Sequence, residues 1–260
     1  MSPHLRQRAP VAGARLLGLG SRQPERIVTN ADIAARGVQT TDEWIRDRVG
    51  IVERRFARKD ESVVDMAVDA GAKALADAGL APADIDAVLV ATCTMPSYIP
   101  NAAGQTADRI GVRGAPAFDI NAACAGFCYG LGTASDMIRA GSVRHVLVIG
   151  AEKLSQWVDW TDRSTCIIFA DGAGAVVVGP VVWGGAGDMA DKIFIKDRNS
   201  FISQEGQAVF RWATTALHPV ARAACERAGV DPASLAAFVP HQANLRIVEA
   251  IARKLGAPRA

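Results

Sequence analysis

The stretch Asp119-Ile-Asn-Ala-Ala-Cys-Ala-Gly-Phe-Cys-Tyr-Gly130 decides the fold class of this chain. The apolar run 116–120 predicts a buried strand, and the run 124–140, rich in small residues and followed by Gly141, predicts a helix. The direct passage from strand to helix places Cys124 at a strand end and at a helix start. In α/β proteins, ligands bind and reactions occur at such strand ends.

Strands and helices also alternate on both sides of this stretch. The hydrophobic pattern and the glycine and proline signals predict strands over 14–19, 85–92, 145–151 and 236–240, and helices over 62–80, 101–110, 207–228 and 244–255. A capping box of Thr40 and Glu43 predicts one more helix start. Within 167–178, the turn Asp171–Gly174 predicts two short strands joined by a bend. The alternation as a whole predicts helices packed on a largely parallel sheet.

Composition limits the class of protein. The 260 residues, half of them hydrophobic, can bury the core of one large or two smaller domains. The balance of 29 basic against 27 acidic residues argues against a nucleic-acid partner that needs a basic face. Prolines interrupt the uncharged run 87–107, so we expect no membrane segment. Five cysteines without a CxxC pair or a Cys/His cluster predict free thiols in the cytoplasm and no metal.

Cys124 is the candidate nucleophile. The N-terminus of a helix favours a thiolate, and its unpaired backbone N–H groups can hold an oxyanion. The small neighbours Ala123, Ala125 and Gly126 leave the backbone open to a ligand. The residues alone leave a buried structural cysteine as an open alternative.

His241 is the candidate partner of Cys124. It lies in Phe238-Val-Pro-His-Gln-Ala-Asn-Leu-Arg246, at the end of a predicted strand and close to Asn244. A hydrogen-bonded structural histidine is the alternative. Sequence spacing cannot show whether Cys124 and His241 meet.

Five motifs together resemble the β-ketoacyl-acyl carrier protein synthase III family, the initiating condensing enzymes of the thiolase-like superfamily. They are Thr41–Ile51, Asn121–Phe127, Phe169–Gly174, Glu205–Phe210 and Pro240–Asn244, and they occur in the family's order. The resemblance implies an α/β, five-layered αβαβα thiolase-like fold of two similar halves. These halves would be 1–180, which contains Cys124, and 181–260, which contains His241 and is incomplete.

The resemblance also implies a reaction. Cys124 would accept an acyl group from acyl-coenzyme A, and His241 would promote the decarboxylation of malonyl-acyl carrier protein, so that a Claisen condensation starts fatty acid or polyketide synthesis. Acyl-coenzyme A would be a substrate, and no cofactor is implied. The residues implied to bind coenzyme A are Trp44 and Arg163 at the adenine, Arg48 near the nucleotide, and Gly206, Phe210 and Asn244 along the pantetheine tunnel.

Family members bind the acidic carrier protein on the helix that follows Asn244, and they are homodimers. The residues implied in carrier binding are Gln242, Ala243, Asn244, Leu245, Arg246, Arg253 and Lys254. A solvated charged face is the alternative for this helix. Two other functions stay open: a polyketide starter-unit acyltransferase or synthase of the same fold, and a non-catalytic partner subunit.

The sequence departs from the family at its end. It stops at Ala260, before the Gly-Asn-Thr-Ser segment that supplies the third catalytic residue, an asparagine, in family members. We expect the sequence to belong to a longer protein. Asn244 belongs to a different motif and is not expected to replace that asparagine.

Overall fold

The computed structural model describes residues 4–5, 14–176, 184–185, 192–196 and 200–258. The strands are β1 His4–Leu5, β2 Leu19–Arg22, β3 Arg26–Thr29, β4 Glu53–Phe56, β5 Ala87–Ala91, β6 Ala117–Ile120, β7 Val146–Lys153, β8 Asp171–Val176, β9 Gly184–Gly185, β10 Ile193–Phe194 and β11 Ser203–Gln204. The helices are α1 Asn30–Ala34, α2 Asp42–Val49, α3 Val63–Ala78, α4 Ala102–Ile110, α5 Gly126–Arg139, α6 Arg163–Cys166, α7 Gly206–Ala228 and α8 Leu245–Leu255.

Five strands form the central sheet, in the order β2-β8-β7-β5-β6. β5 runs parallel to β6 and to β7, whereas β8 runs antiparallel to β7 and to β2. The expectation of a largely parallel sheet is therefore correct only for the β7-β5-β6 part. In that part the carboxyl ends of three strands lie side by side at one edge, which is where Cys124 follows β6.

Helices cover both faces of the sheet. On one face, Val88 and Val90 of β5 pack with the buried residues of α3 and α4, while on the other face Leu89 of β5 and Val148 of β7 pack against α5. Such full burial of a valine or leucine side chain stabilises the fold by about 1.5–3 kcal/mol. The alternation of side chains along β5 thus fixes which helices lie on which face.

Local signals set the helix starts. The Ser62 hydroxyl accepts a hydrogen bond from the Asp65 N–H at 3.1 Å, and the Asp65 carboxylate accepts one from the Ser62 N–H at 2.6 Å. A capping box thus begins α3, the helix predicted over 62–80. The start of α2 differs by one residue from the prediction. Thr41, and not Thr40, accepts the Trp44 N–H at 3.1 Å.

Two predicted strands in the N-terminal part form differently. The strand predicted over 14–19 forms instead as β2, at Leu19–Arg22. This segment pairs with β8, and Gly20 lies opposite Ala175. The predicted bend at Asp171–Gly174 is wrong. Its glycines lie within β8, where Gly172 pairs with Glu152 and Gly174 with Gly150 of β7.

The C-terminal part consists mainly of α7 and α8, which pack on each other. The strand predicted over 236–240 is wrong: among the described residues, no strand pairs with this segment, and an unpaired segment has no ladder hydrogen bonds to hold it extended. The expected boundary between the two halves at residue 180 lies outside the described residues.

Candidate active site

Cys124 lies in a tight turn between β6 and α5. Residues Ala123–Ala125 form a single 3₁₀ turn, and α5 begins at Gly126, two residues later than predicted. Ala123 has a φ of 43°, a left-handed conformation that costs a residue with a side chain about 1–3 kcal/mol. Backbone strain of this kind is typical of turns that present a functional side chain, and Cys124 is exposed among the described residues.

Close packing of α5 on the sheet fixes the position of this turn. A Cβ atom at Gly126 would lie 3.2 Å from the Cβ of Ala91, and one at Gly130 would lie 2.9 Å from Cγ1 of Val148. Both glycines therefore allow α5 to approach β5 and β7 more closely than alanine would. The turn with Cys124 consequently lies directly beside the ends of these strands.

The acidity of the Cys124 thiol differs from the expectation. Desolvation by the surrounding protein is the largest effect, and it raises the pKa of the Cys124 thiol. A hydrogen bond from the backbone N–H of Cys124 lowers this pKa, and the nearby carboxylate of Glu152 raises it further. The net direction is upward, so the stabilisation of a thiolate by the helix start is outweighed in the free protein. Cys124 therefore needs a proton acceptor, or the substrate itself, to react as a thiolate.

His241 lies four residues before the start of α8, in a segment without regular structure. The surrounding protein lowers the pKa of His241 because it disfavours the charged imidazolium. The lowered pKa favours the neutral ring, which carries one N–H donor. Cys124 and His241 are held by separate elements, and no hydrogen bond joins their side chains.

Asn244 connects the His241 segment to α2. Its side-chain oxygen caps α8 by accepting the Arg246 N–H at 3.0 Å, and its side-chain nitrogen donates to the Arg48 carbonyl at 3.3 Å. Leu245 packs against Gly50, the residue that follows α2, because a Cβ atom added at Gly50 would lie 2.5 Å from the Cβ atom of Leu245. Both ends of the Asn244 amide are thus engaged, which fits the expectation that it does not replace the third catalytic residue.

Trp44, Arg48 and Arg163 form a cluster at the surface next to this contact. The Arg163 guanidinium lies 4.4 Å from the centroid of the Trp44 ring, and that of Arg48 lies 5.7 Å from it. Arg163 also donates to the Gln39 carbonyl at 2.8 Å. An indole with guanidinium groups on its faces suits a planar, electron-rich base.

The other predicted binding residues lie on α7 and α8. Gly206 is the first residue of α7, and Phe210 lies one turn later, with the Arg246 guanidinium 6.0 Å from its ring. Gln242 donates to the Pro240 carbonyl at 3.0 Å, and Ala243 follows it in the turn before α8. The contact between Phe210 and Arg246 thus brings the first turn of α7 close to the first turn of α8.

The basic residues near the end of α8 have different surroundings. Arg253 is exposed. The Lys254 ammonium donates to the Thr214 carbonyl of α7 at 2.6 Å, so its charge is partly committed to holding the two helices together.

One polar cluster beside Cys124 was not predicted. Glu152, near the end of β7, accepts hydrogen bonds from the Cys93 N–H at 2.9 Å, from the Thr92 hydroxyl at 3.3 Å and from the Thr94 hydroxyl at a shorter distance. No motif in the sequence marks these residues, because the parallel pairing of β5 with β7 brings them together.

The described residues contain neither a candidate metal site nor a helix that could span a membrane. No group of three or more His, Cys, Asp or Glu side chains there could hold a metal ion. No helix in the same part of the chain has the length and apolar character needed to cross a bilayer.

Comparisons with protein families give two matches. Residues 118–192 match the sequence model described as 3-oxoacyl-[acyl-carrier-protein (ACP)] synthase III, and residues 225–260 match the C-terminal model of the same name. The matched ranges contain Cys124 and His241, respectively.

Curated relatives match almost the whole chain. It is 52% identical to β-ketoacyl-[acyl-carrier-protein] synthase III 4 of Streptomyces coelicolor, over 95% of this chain and 82% of the relative. It is 47% identical to the mycobacterial β-ketoacyl-[acyl-carrier-protein] synthase III of Mycolicibacterium paratuberculosis, over 92% of this chain and 77% of the relative.

Solved structures agree in fold. The 3-oxoacyl-[acyl-carrier-protein] synthase III of Aquifex aeolicus superposes with a TM-score of 0.85 at 38% identity, over 95% of this chain and 82% of that chain. The priming β-ketosynthase of a polyketide biosynthetic pathway superposes with a TM-score of 0.88 at 39% identity, over 97% and 81%. The expected thiolase-like fold class is thereby confirmed.

Proposed function

Because the chain belongs to the β-ketoacyl-acyl carrier protein synthase III family, we propose that it condenses an acyl-coenzyme A primer with malonyl-acyl carrier protein. The proposed reaction is an acyl transfer to Cys124 followed by a decarboxylative Claisen condensation. The observation that carries the proposal is the Trp44, Arg48 and Arg163 cluster, which Asn244 links to the His241 segment.

In the first step, the Cys124 sulfur attacks the thioester carbon of acyl-coenzyme A. A new carbon–sulfur bond forms, the bond to the coenzyme A sulfur breaks, and the thiol proton ends on the released coenzyme A. The raised pKa of Cys124 requires that this proton be removed during the attack. Backbone N–H groups at the start of α5 are the proposed donors to the oxyanion.

In the second step, the malonyl thioester loses carbon dioxide, and the electron pair left behind forms an enolate. The neutral His241 ring can donate its N–H to the enolate oxygen, a role for which its lowered pKa suits it. The enolate carbon then attacks the acyl carbon on Cys124. A carbon–carbon bond forms, and the Cys124 thiolate leaves and recovers a proton.

We predict that Arg163→Ala raises the KM for acyl-coenzyme A about tenfold and leaves kcat within about twofold. A cation–π contact contributes about 0.5–2 kcal/mol, and the Arg163 guanidinium beside Trp44 can make such a contact with the adenine. Initial-rate kinetics with varied acyl-coenzyme A measure the effect.

Arg36→Ala is the matched control for Arg163→Ala. Arg36 makes an equivalent contact, 4.3 Å from the ring of Trp160, in a place not predicted to bind coenzyme A. An equal rise in KM for both variants, or no rise for Arg163→Ala, would contradict the proposed adenine site.

We further propose that the exposed basic face of α8 receives the acidic carrier protein. Arg246 and Arg253 are seven residues apart and thus lie on one helical face. The bond from Asn244 to the Arg48 carbonyl supports this docking face, because it joins the start of α8 to the residues of α2 that are proposed to bind coenzyme A.

For Arg253→Glu we predict a fall in kcat/KM for malonyl-acyl carrier protein of about tenfold at low salt, because reversal of a charge on the docking face weakens electrostatic steering. The loss should shrink in high salt, while the KM for acyl-coenzyme A stays unchanged. Arg26→Glu, an exposed change on β3, is the control. A salt-independent loss, or the same loss in the control, would exclude docking at α8.

The proposal includes a cytoplasmic homodimer. Tyr98 and Ile99 are 80% and 88% exposed in the loop that follows β5, and in family members this loop reaches the partner's acyl pocket. Two large apolar side chains with this exposure fit a subunit contact.

A polyketide starter-unit synthase is the second candidate, favoured by the 39% identity with the priming β-ketosynthase. Competition between malonyl-acyl carrier protein and an alcohol or amine acceptor separates a condensing enzyme from an acyltransferase. Release of carbon dioxide with each turnover supports condensation, whereas an ester or amide product without it supports acyl transfer.

A further inference from the structure

The unpredicted Glu152 cluster lies where three parallel strand ends meet. Glu152 is near the end of β7, Thr92–Thr94 follow β5, and Cys124 follows β6. The chain of contacts is continuous, because Cys93 donates its N–H to Glu152 and Thr92 donates its N–H to the Ile120 carbonyl at 3.1 Å. Ile120 is the last residue of β6, four residues before the nucleophile.

Burial raises the pKa of Glu152, and the hydrogen bonds around its side chain oppose this effect because they favour the charged carboxylate. Thr94 accepts the Lys153 N–H at 2.9 Å, and Thr92 accepts the Thr94 N–H at 3.2 Å, so both hydroxyl protons can point to Glu152. With the Cys93 N–H, three donors converge on the two carboxylate oxygens. This half-buried side chain is thus held in one orientation.

The other charged groups near this cluster form hydrogen bonds with partners other than Glu152. The Lys153 ammonium donates to the Arg58 and Glu61 carbonyls at 2.7 and 2.6 Å. On β8, the Asp171 carboxylate accepts from Ser155 and from the Ala57 N–H, and on β6 the Asp119 carboxylate accepts the Ala102 and Ala103 N–H groups. On α5, Cys128 lies one turn beyond Cys124.

We infer that Glu152 is a positioning residue of the nucleophile, which fixes Thr92–Thr94 beside the Cys124 turn and holds there a carboxylate that opposes formation of the thiolate. The electrostatics agree with this arrangement: desolvation is the largest cause of the raised pKa of Cys93 and of Cys124, and the Glu152 carboxylate raises the pKa of both thiols further. A thiol kept protonated resists alkylation and oxidation while no acyl donor is bound. The inference concerns the thiol and holds whichever acyl acceptor the protein uses.

The test is the pH dependence of Cys124 alkylation by iodoacetamide, followed by mass spectrometry of the peptide that contains Cys124. In Glu152→Gln, which removes the charge and keeps the size, the midpoint should shift downward, and alkylation at pH 7 should be at least twofold faster. Glu226→Gln, an exposed change of the same charge on α7, should leave the midpoint unchanged.

Thr94→Val is a second variant. Loss of its hydroxyl donor disfavours the charged form of Glu152, so the midpoint should shift in the same direction but by less. It serves as the test if Glu152→Gln does not fold. An unchanged midpoint in a folded Glu152→Gln protein, or equal shifts in Glu152→Gln and Glu226→Gln, would overturn the inference. Because the alkylation needs no condensing activity, a failure of the proposed function would be seen separately, in the turnover assay.

Discussion

Replacing Cys124 with alanine should abolish the acyl adduct expected from acyl-coenzyme A and lower the proposed condensation rate by a factor on the order of a thousand or more. The alanine variant has no atom that can accept the acyl group. Its fold should be unaffected, because Cys124 is exposed and alanine also suits the turn. The measurement is the intact mass of the purified protein before and after brief incubation with acyl-coenzyme A.

Cys128→Ala is the control for this experiment. Cys128 is exposed like Cys124 and lies one helical turn further along α5, so it is the thiol most readily confused with the nucleophile. The control should keep the adduct and most of the turnover. Persistence of the adduct in Cys124→Ala would assign the nucleophile to another residue.

The Cys124→Ala variant also decides between an enzyme and a non-catalytic partner subunit. A partner subunit acts through its fold and interfaces, which Cys124→Ala leaves intact. If the variant supports the protein's role in cells as well as the wild type does, the partner-subunit function is correct and the proposed chemistry at Cys124 is wrong. Loss of that role together with the adduct supports the enzyme.

Cys124 could be found from the sequence because its setting is local. A strand, a run of small residues and a helix follow one another without interruption, and the structure forms both the strand and the helix, with an unpredicted 3₁₀ turn at Cys124 between them. The acidity of the thiol could not be found in this way. It depends on the surrounding protein and on Glu152, which reaches the site only through the pairing of β5 with β7.

The cluster of Trp44, Arg48 and Arg163 shows a different limit of prediction from the sequence. Trp44 and Arg163 lie on α2 and α6, far apart in the chain, and only the resemblance to a family linked them before the structure placed them 4.4 Å apart. Their direct environment, including the bond from Asn244 to the Arg48 carbonyl, depends on how α8 packs near α2. Periodicity predicts each helix but carries no information on this contact.

Two of the errors in the predicted strands, at 14–19 and at Asp171–Gly174, have a common cause. Glycines are turn signals in a sequence, yet Gly20, Gly172 and Gly174 all lie within paired strands. The reason at Gly20 is a close approach of the backbone to a helix, and such an approach is not visible in a hydrophobic pattern. Its energetic importance can be measured directly.

We predict that Gly20→Ala destabilises the protein by about 3 kcal/mol, which lowers the melting temperature by roughly 10 °C. The new Cβ atom would lie 2.1 Å from the Ala70 carbonyl oxygen and 2.4 Å from the Ala74 nitrogen. Both atoms belong to the backbone of α3, so no side-chain rotation relieves the clash. Thermal unfolding followed by circular dichroism measures the change.

Gly174→Ala is the matched control, because Gly174 lies in the same β2–β8 ladder, opposite Ser21, and its new Cβ atom would meet nothing within 4 Å. The control should change the melting temperature little, since alanine is an acceptable strand residue where space is available. Equal destabilisation by both variants would show that loss of glycine as such, and not contact with α3, matters. A loss confined to Gly20→Ala would instead show that β2 holds its place in the sheet because its backbone fits directly against α3.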